Sequence, residues 1–265
     1  MEIKPIAYFR SPLKEKFGTP RQAGLVPGLQ GFIEFCEGFE PAMLDGLEGF
    51  DFIWLIWGFN LNRPTEGQAS KVRPPRLGGN DKMGVYATRS PYRPNPLGLS
   101  SVRVASIDAA SGRIEVLGAD LVDGTPVFDI KPYIEYADSH PGIRSGFAAD
   151  IPATLQVRFP DSGKWPITQK KQEAAFSKKE HGSSDGQCRN RVPIAGHGTT
   201  LCPSRRDEAL QELSPEDLQV LEQILAQDPR PAYHDDPERI YGLSFKGKNV
   251  RFKIEADILT VLSID

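Results

Sequence analysis

Residues 73–101 read RPPRLGGNDKMGVYATRSPYRPNPLGLSS, a stretch that combines arginine, proline and glycine to an unusual degree. Arginine supplies fixed positive charge and a planar fork of hydrogen-bond donors. Proline and glycine fix an irregular backbone that neither a helix nor a strand provides. A stiff loop with several guanidinium groups is typical of an anion-binding site. An ordinary solvated loop is the alternative, but apolar, strand-like runs flank the stretch on both sides.

The positive charge is local to this part of the chain. The 265 residues carry a formal net charge of −3, whereas residues 63–93 hold seven basic side chains against two acidic ones, a balance of +5. A basic face on an acidic protein favours selective capture of a polyanion over general adhesion to nucleic acid.

Short apolar segments on both sides of the stretch predict a mainly β fold. About seven or eight short strands at this spacing predict a closed or nearly closed barrel. The expected strands lie near residues 3–10, 31–35, 50–59, 84–88, 99–107, 113–117, 127–130 and 151–159. The run FDFIWLIWGF at 50–59 predicts a strand that is buried on both faces. No GxGxxG motif follows a strand, which argues against a Rossmann-type cofactor site.

A small α+β module is predicted after residue 204. Ser214-Pro215-Glu216-Asp217 has the N-cap, first-turn proline and acidic residue of a helix start, and the helix is expected to end at Asp228-Pro229. A hairpin over 240–255 and a strand over 257–264 follow. Residues 160–204 are rich in lysine, glycine and serine, which predicts a flexible insertion. We therefore expect a barrel domain over 1–159, a linker over 160–204 and a C-terminal domain over 205–265.

Composition argues against a membrane protein, a secreted protein and a metalloprotein. The longest apolar run is too short to span a bilayer, and the N-terminus lacks the apolar region of a signal peptide. An odd number of cysteines without framework spacing favours a reduced, cytoplasmic protein. Cys188, His197 and Cys202 lack an obvious fourth ligand, so no metal site is expected.

Four separated motifs resemble the TsaA/YaeB-like family, also called TrmO. The signature is GVYATRSPYRPNPLGLS at 84–100; PRQ at 20–22 precedes it, and DLVDGTP at 120–126 with DIKPY at 129–133, then DPRPAY at 228–233, follow it. The resemblance covers about residues 3–158 and 205–262. It implies an S-adenosylmethionine-dependent tRNA methyltransferase, built as a single-barrel, non-Rossmann S-adenosylmethionine-binding domain plus a small α+β C-terminal domain.

The resemblance also implies cofactor contacts at the positions that match the family's motifs. These positions are Pro20, Arg21, Gln22, Asn60, Leu61, Arg89, Leu99, Asp120, Leu121, Val122 and Asp123. Asn60 and Leu61 depart from the family's frequent histidine–glutamine pair, so contact through the backbone is expected there.

The chemistry of the cofactor suits these side chains. Arg89 matches its carboxylate, and Asp120 and Asp123 match its ribose or amine. The apolar side chains Leu99, Leu121 and Val122 are expected to sandwich the adenine. Taken alone, an ordinary solvated loop would explain the DLVDG segment about as well.

The reaction implied by the family is methyl transfer to N6 of threonylcarbamoyladenosine, next to the anticodon on its 3′ side. That nitrogen is urea-like and a poor nucleophile, so alignment of the reacting atoms and a group that accepts or polarises the N6 proton would help. No histidine or cysteine stands in the motif region as a base. We expect Tyr92, Asn95 or Asp129 to hydrogen-bond there.

Contacts to tRNA are expected from basic and aromatic side chains. Arg73 and Arg76 suit tRNA, and Arg93 suits phosphates or the threonyl carboxylate. In the DPRPAY motif Arg230 suits tRNA while Tyr233 suits stacking on a base. A purely structural turn explains DPRPAY equally well. The family also implies a homodimer with the cofactor near the subunit interface.

Two rival functions remain beside the tRNA methyltransferase. One is a non-catalytic tRNA- or nucleotide-binding barrel, and the other is an S-adenosylmethionine-dependent enzyme that acts on a small molecule. The intact RSPYRPNPLG and DLVDGTP motifs argue against the first, and the C-terminal DPRPAY module argues against the second.

Overall fold

A computed structural model gives the structure of the protein over most of the chain. It describes residues 2–62, 69–74, 81–160, 213–230 and 236–265. The predicted linker beyond residue 160, Arg76, Tyr233 and the candidate ligands Cys188, His197 and Cys202 lie outside the described residues.

The described residues form strands, two α-helices and short 3₁₀ turns. The strands are β1 (Ala7–Arg10), β2 (Gln30–Phe35), β3 (Phe52–Gly58), β4 (Lys71–Val72), β5 (Met83–Gly84), β6 (Leu97–Asp108), β7 (Arg113–Leu117), β8 (Thr125–Pro132), β9 (Gln156–Arg158), β10 (Ile240–Phe245), β11 (Lys248–Glu255) and β12 (Ile258–Ile264). The helices are α1 (Glu135–Asp138) and α2 (Pro215–Ala226), and the 3₁₀ turns are Pro41–Leu44, Leu47–Gly49, Val85–Ala87 and Gly146–Ala148.

Six strands close into a barrel in the order β1-β2-β7-β6-β3-β8. Every neighbouring pair is antiparallel. Side chains that alternate along the strands, among them Phe9, Ile33, Leu55, Val102 and Val127, fill the barrel with an apolar core. The predicted mainly β barrel is confirmed with six strands, because two expected segments lie elsewhere: 84–88 contributes only to the small β4-β5 sheet, and 151–159 joins another sheet.

The segment at 151–159 was expected to close the barrel, and that prediction is wrong. Its strand, β9, pairs in parallel with β12 and completes a sheet of order β10-β11-β12-β9. The apolar side chains of Leu155, Val157 and Phe159 pack against the core of this second sheet. Alternating hydrophobicity identifies a strand with one buried face, but it does not identify the sheet that the strand joins.

Helix α2 covers one face of the second sheet and begins as predicted. The Ser214 hydroxyl accepts a hydrogen bond from the Asp217 amide at 3.1 Å, and the Asp217 carboxylate accepts one from the Ser214 amide at 3.1 Å. Leu221, Ile224 and Leu225 are buried on the face of the helix that packs against the sheet. None of the helices in the described ranges is long and apolar enough to cross a membrane.

Strand β3 is buried on only one face, which corrects the expectation of burial on both. Ile53, Leu55 and Trp57 point into the barrel, whereas Phe52 remains 43% exposed. Trp54 alternates with these buried residues and is only half-buried. A barrel has a single interior, so the outward apolar side chains of β3 are left on its outer face.

Candidate functional site

The predicted cofactor positions gather at one rim of the barrel. Strands β1, β3 and β7 end there, and β2, β6 and β8 begin there. Three connections cross this rim, over residues 11–29, 59–96 and 118–124. They carry every predicted cofactor position except Leu99, which lies near the start of β6. Antiparallel pairing thus brings together motifs that are about 100 residues apart in the chain.

One contact from each connection builds the centre of this rim. The Arg89 guanidinium donates a hydrogen bond to the Gln22 side-chain oxygen. Burial raises the pKa of the nearby Asp120 carboxyl group, and the positive charge of Arg89 opposes part of that rise. We call Gln22, Arg89 and Asp120 the rim triad: Arg89 is hydrogen-bonded to Gln22, and its charge acts on Asp120 across the rim.

Asp120 is further anchored from inside the barrel. Ser100 Oγ donates to Asp120 Oδ1 at 2.6 Å and accepts from Trp57 Nε1 at 3.0 Å. Ser100 is 3% exposed and Trp57 8%. Burial is the largest influence on Asp120 and raises the pKa of its carboxyl group above the ordinary value, against the hydrogen bond from Ser100. Sequence reasoning missed Ser100 and Trp57 as partners of Asp120, although Ser100-Ser101 does interrupt the alternation of β6.

The segment 120–123 is tied to the other two connections. Asp123 Oδ1 accepts from the Ser11 amide at 3.2 Å, and the Asp123 amide donates to the Leu13 carbonyl at 2.9 Å. Asn60 Nδ2 donates to the Gly124 carbonyl at 3.1 Å. Gly118 and Gly124 bracket the segment with φ values of 78° and 76°, a conformation that favours glycine.

The proline-rich part of the central connection is held by short-range hydrogen bonds. The Ser90 amide donates to Thr88 Oγ1 at 3.3 Å, and the Tyr92 amide donates to Ser90 Oγ at 3.2 Å. Arg93 Nη1 donates to the Thr88 carbonyl at 3.2 Å, and the Phe59 amide donates to the Pro96 carbonyl at 3.0 Å. These bonds fix the loop while Tyr92 stays 45% exposed.

The structure does not bring the three proposed catalytic side chains into contact. No hydrogen bond joins Tyr92, Asn95 and Asp129, all of which lie in the described ranges. The Asp129 carboxylate accepts from the Ile130 amide at 2.9 Å and pairs with Lys131 at 3.2 Å. Asp129 lies across from Ile56 on β8.

Two of the expected apolar contacts differ in accessibility. The Leu121 side chain is 1% exposed and belongs to the barrel core, which leaves its backbone as the part that a ligand can reach. Leu99 is 57% exposed and lies across from Ile56 on the outer face.

The described candidates for tRNA contact also differ in how exposed their side chains are. Arg73 is exposed directly after β4. The Arg230 side chain is only 16% exposed, and its guanidinium pairs with the Asp228 carboxylate at 2.9 Å.

Comparisons with known proteins cover both modules. The family model described as the tRNA-methyltransferase O N-terminal domain matches residues 8–139, and the TrmO C-terminal domain model matches residues 201–265. A Pseudomonas aeruginosa protein named putative S-adenosylmethionine-dependent methyltransferase RcsF is 37% identical over 99% of this chain and 96% of its own length. An Escherichia coli K12 protein named tRNA (adenine(37)-N6)-methyltransferase is 34% identical over 96% of this chain and 93% of its own length.

Solved structures agree with these sequence matches. A crystal structure described as TrmO from Pseudomonas aeruginosa matches with a TM-score of 0.69 and 28% identity, and the match covers 100% of this chain and 98% of that one.

Proposed function

This chain belongs to the TrmO family of tRNA methyltransferases, and from that membership we propose that it methylates N6 of threonylcarbamoyladenosine in tRNA. It is an S-adenosylmethionine-dependent enzyme that acts on N6 of a tRNA adenine. The proposal goes beyond this activity by naming the substrate base, an adenosine 3′ of the anticodon that carries a threonylcarbamoyl group. The observation that best supports the methyltransferase function is the rim triad, in which an arginine held by Gln22 lies close enough for its charge to act on a half-buried carboxylate.

The residues at the rim fit S-adenosylmethionine. The cofactor carries a carboxylate and two cationic groups, and the rim offers a cation for the first, Arg89, and a carboxylate for the second, Asp120. Burial raises the pKa of Asp120, so a cationic ligand beside it would stabilise its charged form. The exposed Leu99 side chain and the backbone of Leu121 and Val122 supply the surroundings of an apolar ring.

When bound, the cofactor supplies an electrophilic methyl group on a positively charged sulfonium. Arg89, oriented by Gln22, would bind the carboxylate of the cofactor with its remaining donors. Asp120, held by Ser100, would balance positive charge. Because contacts within the protein orient these side chains, little reorganisation would be required to position the methyl group.

The loop over residues 89–96 would hold the base. Tyr92 and Asn95 are exposed on it, and we assign them the hydrogen bonds that polarise the N6 proton. Asp129 is the weakest of the three candidates because its carboxylate is engaged by Ile130 and Lys131. Arg93 keeps donors beyond its bond to Thr88 for the threonyl carboxylate or a phosphate. We also propose that the protein works in the cytoplasm, where its tRNA substrate would be met.

We also propose that the protein forms a homodimer. The outer face of β3 and β6 carries Phe52, Leu97 and Leu99 at 43%, 36% and 57% exposure, with Trp54 and Ile56 half-buried among them, and the Asp129–Lys131 ion pair of β8 borders it. An apolar surface of this kind favours contact with another protein. Because Leu99 belongs both to this face and to the expected cofactor contacts, a second copy packed here would lie beside the cofactor.

Replacing Phe52 with glutamate is expected to give a monomer, because the change places a charge in the proposed interface. Sedimentation velocity measures the mass, and methyl transfer is expected to fall with it. Met43→Glu is the matched control: Met43 is 68% exposed on the 3₁₀ turn at the opposite rim, and its replacement should leave the mass unchanged. A Phe52→Glu protein with the mass of the unaltered protein would contradict this interface.

The substrate is tested by methyl transfer from labelled S-adenosylmethionine to tRNA with and without the threonylcarbamoyl modification. We expect incorporation only into the modified tRNA. Equal incorporation into both would remove threonylcarbamoyladenosine as the substrate. Cofactor binding in calorimetry without incorporation into either would favour a small-molecule substrate, and absence of cofactor binding would favour a non-catalytic barrel.

A further inference from the structure

The turn that follows α2 is closed by a salt bridge within it. Asp228 has a φ of 48°, in the left-handed region, and its amide donates to the Leu225 carbonyl at 3.2 Å. Its carboxylate accepts from the Arg230 amide at 3.2 Å and from Arg230 Nε and Nη2 at 2.9 Å each. An arginine that is paired in this bidentate way is held in one orientation. We call residues 228–230 the Asp228 turn.

The outward carbonyls of the Asp228 turn bind an arginine of the barrel domain. Arg21 Nη2 lies 3.4 Å from the Asp228 carbonyl and 3.3 Å from the Arg230 carbonyl, and donates to both. Arg21 is the direct neighbour of Gln22, which accepts a hydrogen bond from Arg89. A continuous series of contacts therefore leads from the C-terminal module to the rim triad.

The rest of the connection at residues 11–29 rests on the same module. Leu13, Val26 and Leu29 are fully buried in the core of the second sheet rather than in the barrel. The Phe17 ring stacks on Tyr241 and on Phe252, with ring centroids 6.3 Å apart in each case. The path of this connection is thus set by the C-terminal module on one side and by the barrel rim on the other.

We infer that the Asp228 turn is a positioning element of the cofactor site, which acts by holding Arg21 and thereby Gln22 and Arg89. This inference rests on the proposed function. It gives Arg230 a role inside the protein in place of the tRNA contact expected from the sequence. The salt bridge keeps the two carbonyls aimed at Arg21, and α2 presents the turn at its C-terminal end, where carbonyls favour a cation.

The test uses substitutions that suit the backbone of the turn. Asp228→Gly removes the carboxylate and accepts a positive φ without strain, and Asp228→Asn keeps a side chain that tolerates this conformation. We expect Asp228→Gly to raise the dissociation constant of S-adenosylmethionine roughly tenfold, the loss of about one charge-assisted hydrogen bond. Asp228→Asn should fall between this value and that of the unaltered chain. Calorimetry on the full chain measures both.

A double-mutant cycle separates positioning from general destabilisation. Arg21→Met removes the guanidinium of an exposed side chain and keeps its apolar stem. If Asp228 acts through Arg21, adding Asp228→Gly to Arg21→Met should cause little further loss of cofactor affinity. Additive losses would overturn the inference, and so would an Asp228→Gly protein that unfolds at a lower temperature but binds S-adenosylmethionine normally.

Arg251→Ala is the matched control within the C-terminal module. Arg251 lies on β11, 58% exposed and 4.0 Å from the Asp265 carboxylate, and its replacement should leave cofactor affinity unchanged. If the unaltered protein binds no S-adenosylmethionine, the proposed function fails and the inference falls with it. If the unaltered protein binds and the Asp228 and Arg21 variants bind equally well, the inference alone fails.

Discussion

Replacing Arg89 with alanine is expected to weaken S-adenosylmethionine binding about a hundredfold, the largest effect among the substitutions considered. The change removes the donor that would bind the cofactor carboxylate. It also leaves the Gln22 side-chain oxygen without its arginine partner. Moreover, it removes the cation that lowers the pKa of Asp120, so this carboxyl group would protonate more readily and lose part of its attraction for a cationic ligand.

Two companion variants sharpen the Arg89 experiment. Arg89→Lys keeps the charge but loses the planar fork, so we expect a dissociation constant between those of the unaltered and alanine proteins. Arg113→Ala is the matched control, because Arg113 is an exposed arginine of the same barrel, with its guanidinium 3.7 Å from the centre of the Phe32 ring. Titration calorimetry should show normal affinity for Arg113→Ala. A twofold change or less in Arg89→Ala would exclude Arg89 from the cofactor site.

Replacing Asp120 with asparagine is expected to weaken cofactor binding and stabilise the free protein. Asparagine keeps an oxygen that accepts from Ser100 but carries no charge for the cationic groups of the cofactor. We expect a loss in affinity of roughly 2 kcal/mol, about thirtyfold. The unliganded variant should melt a few degrees higher, because it no longer has to keep a charge in a half-buried position.

The dependence of this stability difference on pH gives a second readout. Because the pKa of Asp120 is raised in the folded protein, the folded state binds the proton more tightly than the unfolded chain does. Stability from this group is therefore fully present below the ordinary pKa of 3.8 and is lost as pH rises through the raised folded-state pKa. The Asp120→Asn variant should therefore have a larger free energy of unfolding in urea than the unaltered protein. This difference should grow as pH rises from the ordinary pKa to the folded-state pKa and stay constant above that. An asparagine variant less stable than the unaltered protein at neutral pH would contradict this assignment.

Much of the fold follows from local patterns in the sequence. The capping box at Ser214 and Asp217 formed as predicted because N-cap chemistry acts within one helical turn. The strands over 30–35, 97–108 and 113–117 could be predicted because apolar and polar residues alternate within each segment. The pairing of β9 could not be predicted in this way. Its partner, β12, lies about 100 residues further along the chain, and such pairing depends on which hydrophobic core the strand covers in the folded protein.

The site was predicted as a set of positions rather than as an arrangement. Motif matching found Gln22, Arg89 and Asp120, but their convergence required the knowledge that β1, β3 and β7 end at one rim. The partnership of Ser100 with Asp120 required knowing which face of β6 points inward. The contact between Arg21 and the Asp228 turn joins two modules, and no periodicity within either motif indicates it.

The burial of Leu13, Val26 and Leu29 beneath strands β10–β12 has a consequence for synthesis on the ribosome. The connection at residues 11–29 is synthesised more than 200 residues before the strands that cover it, which span residues 240–264. Even if the barrel closes once residue 132 has emerged, these three side chains stay uncovered until residues 240–264 have been made. Long-range packing of this kind slows folding and exposes the chain to aggregation in the interval. A message truncated before the last strands should therefore yield a product that requires chaperones and binds no S-adenosylmethionine.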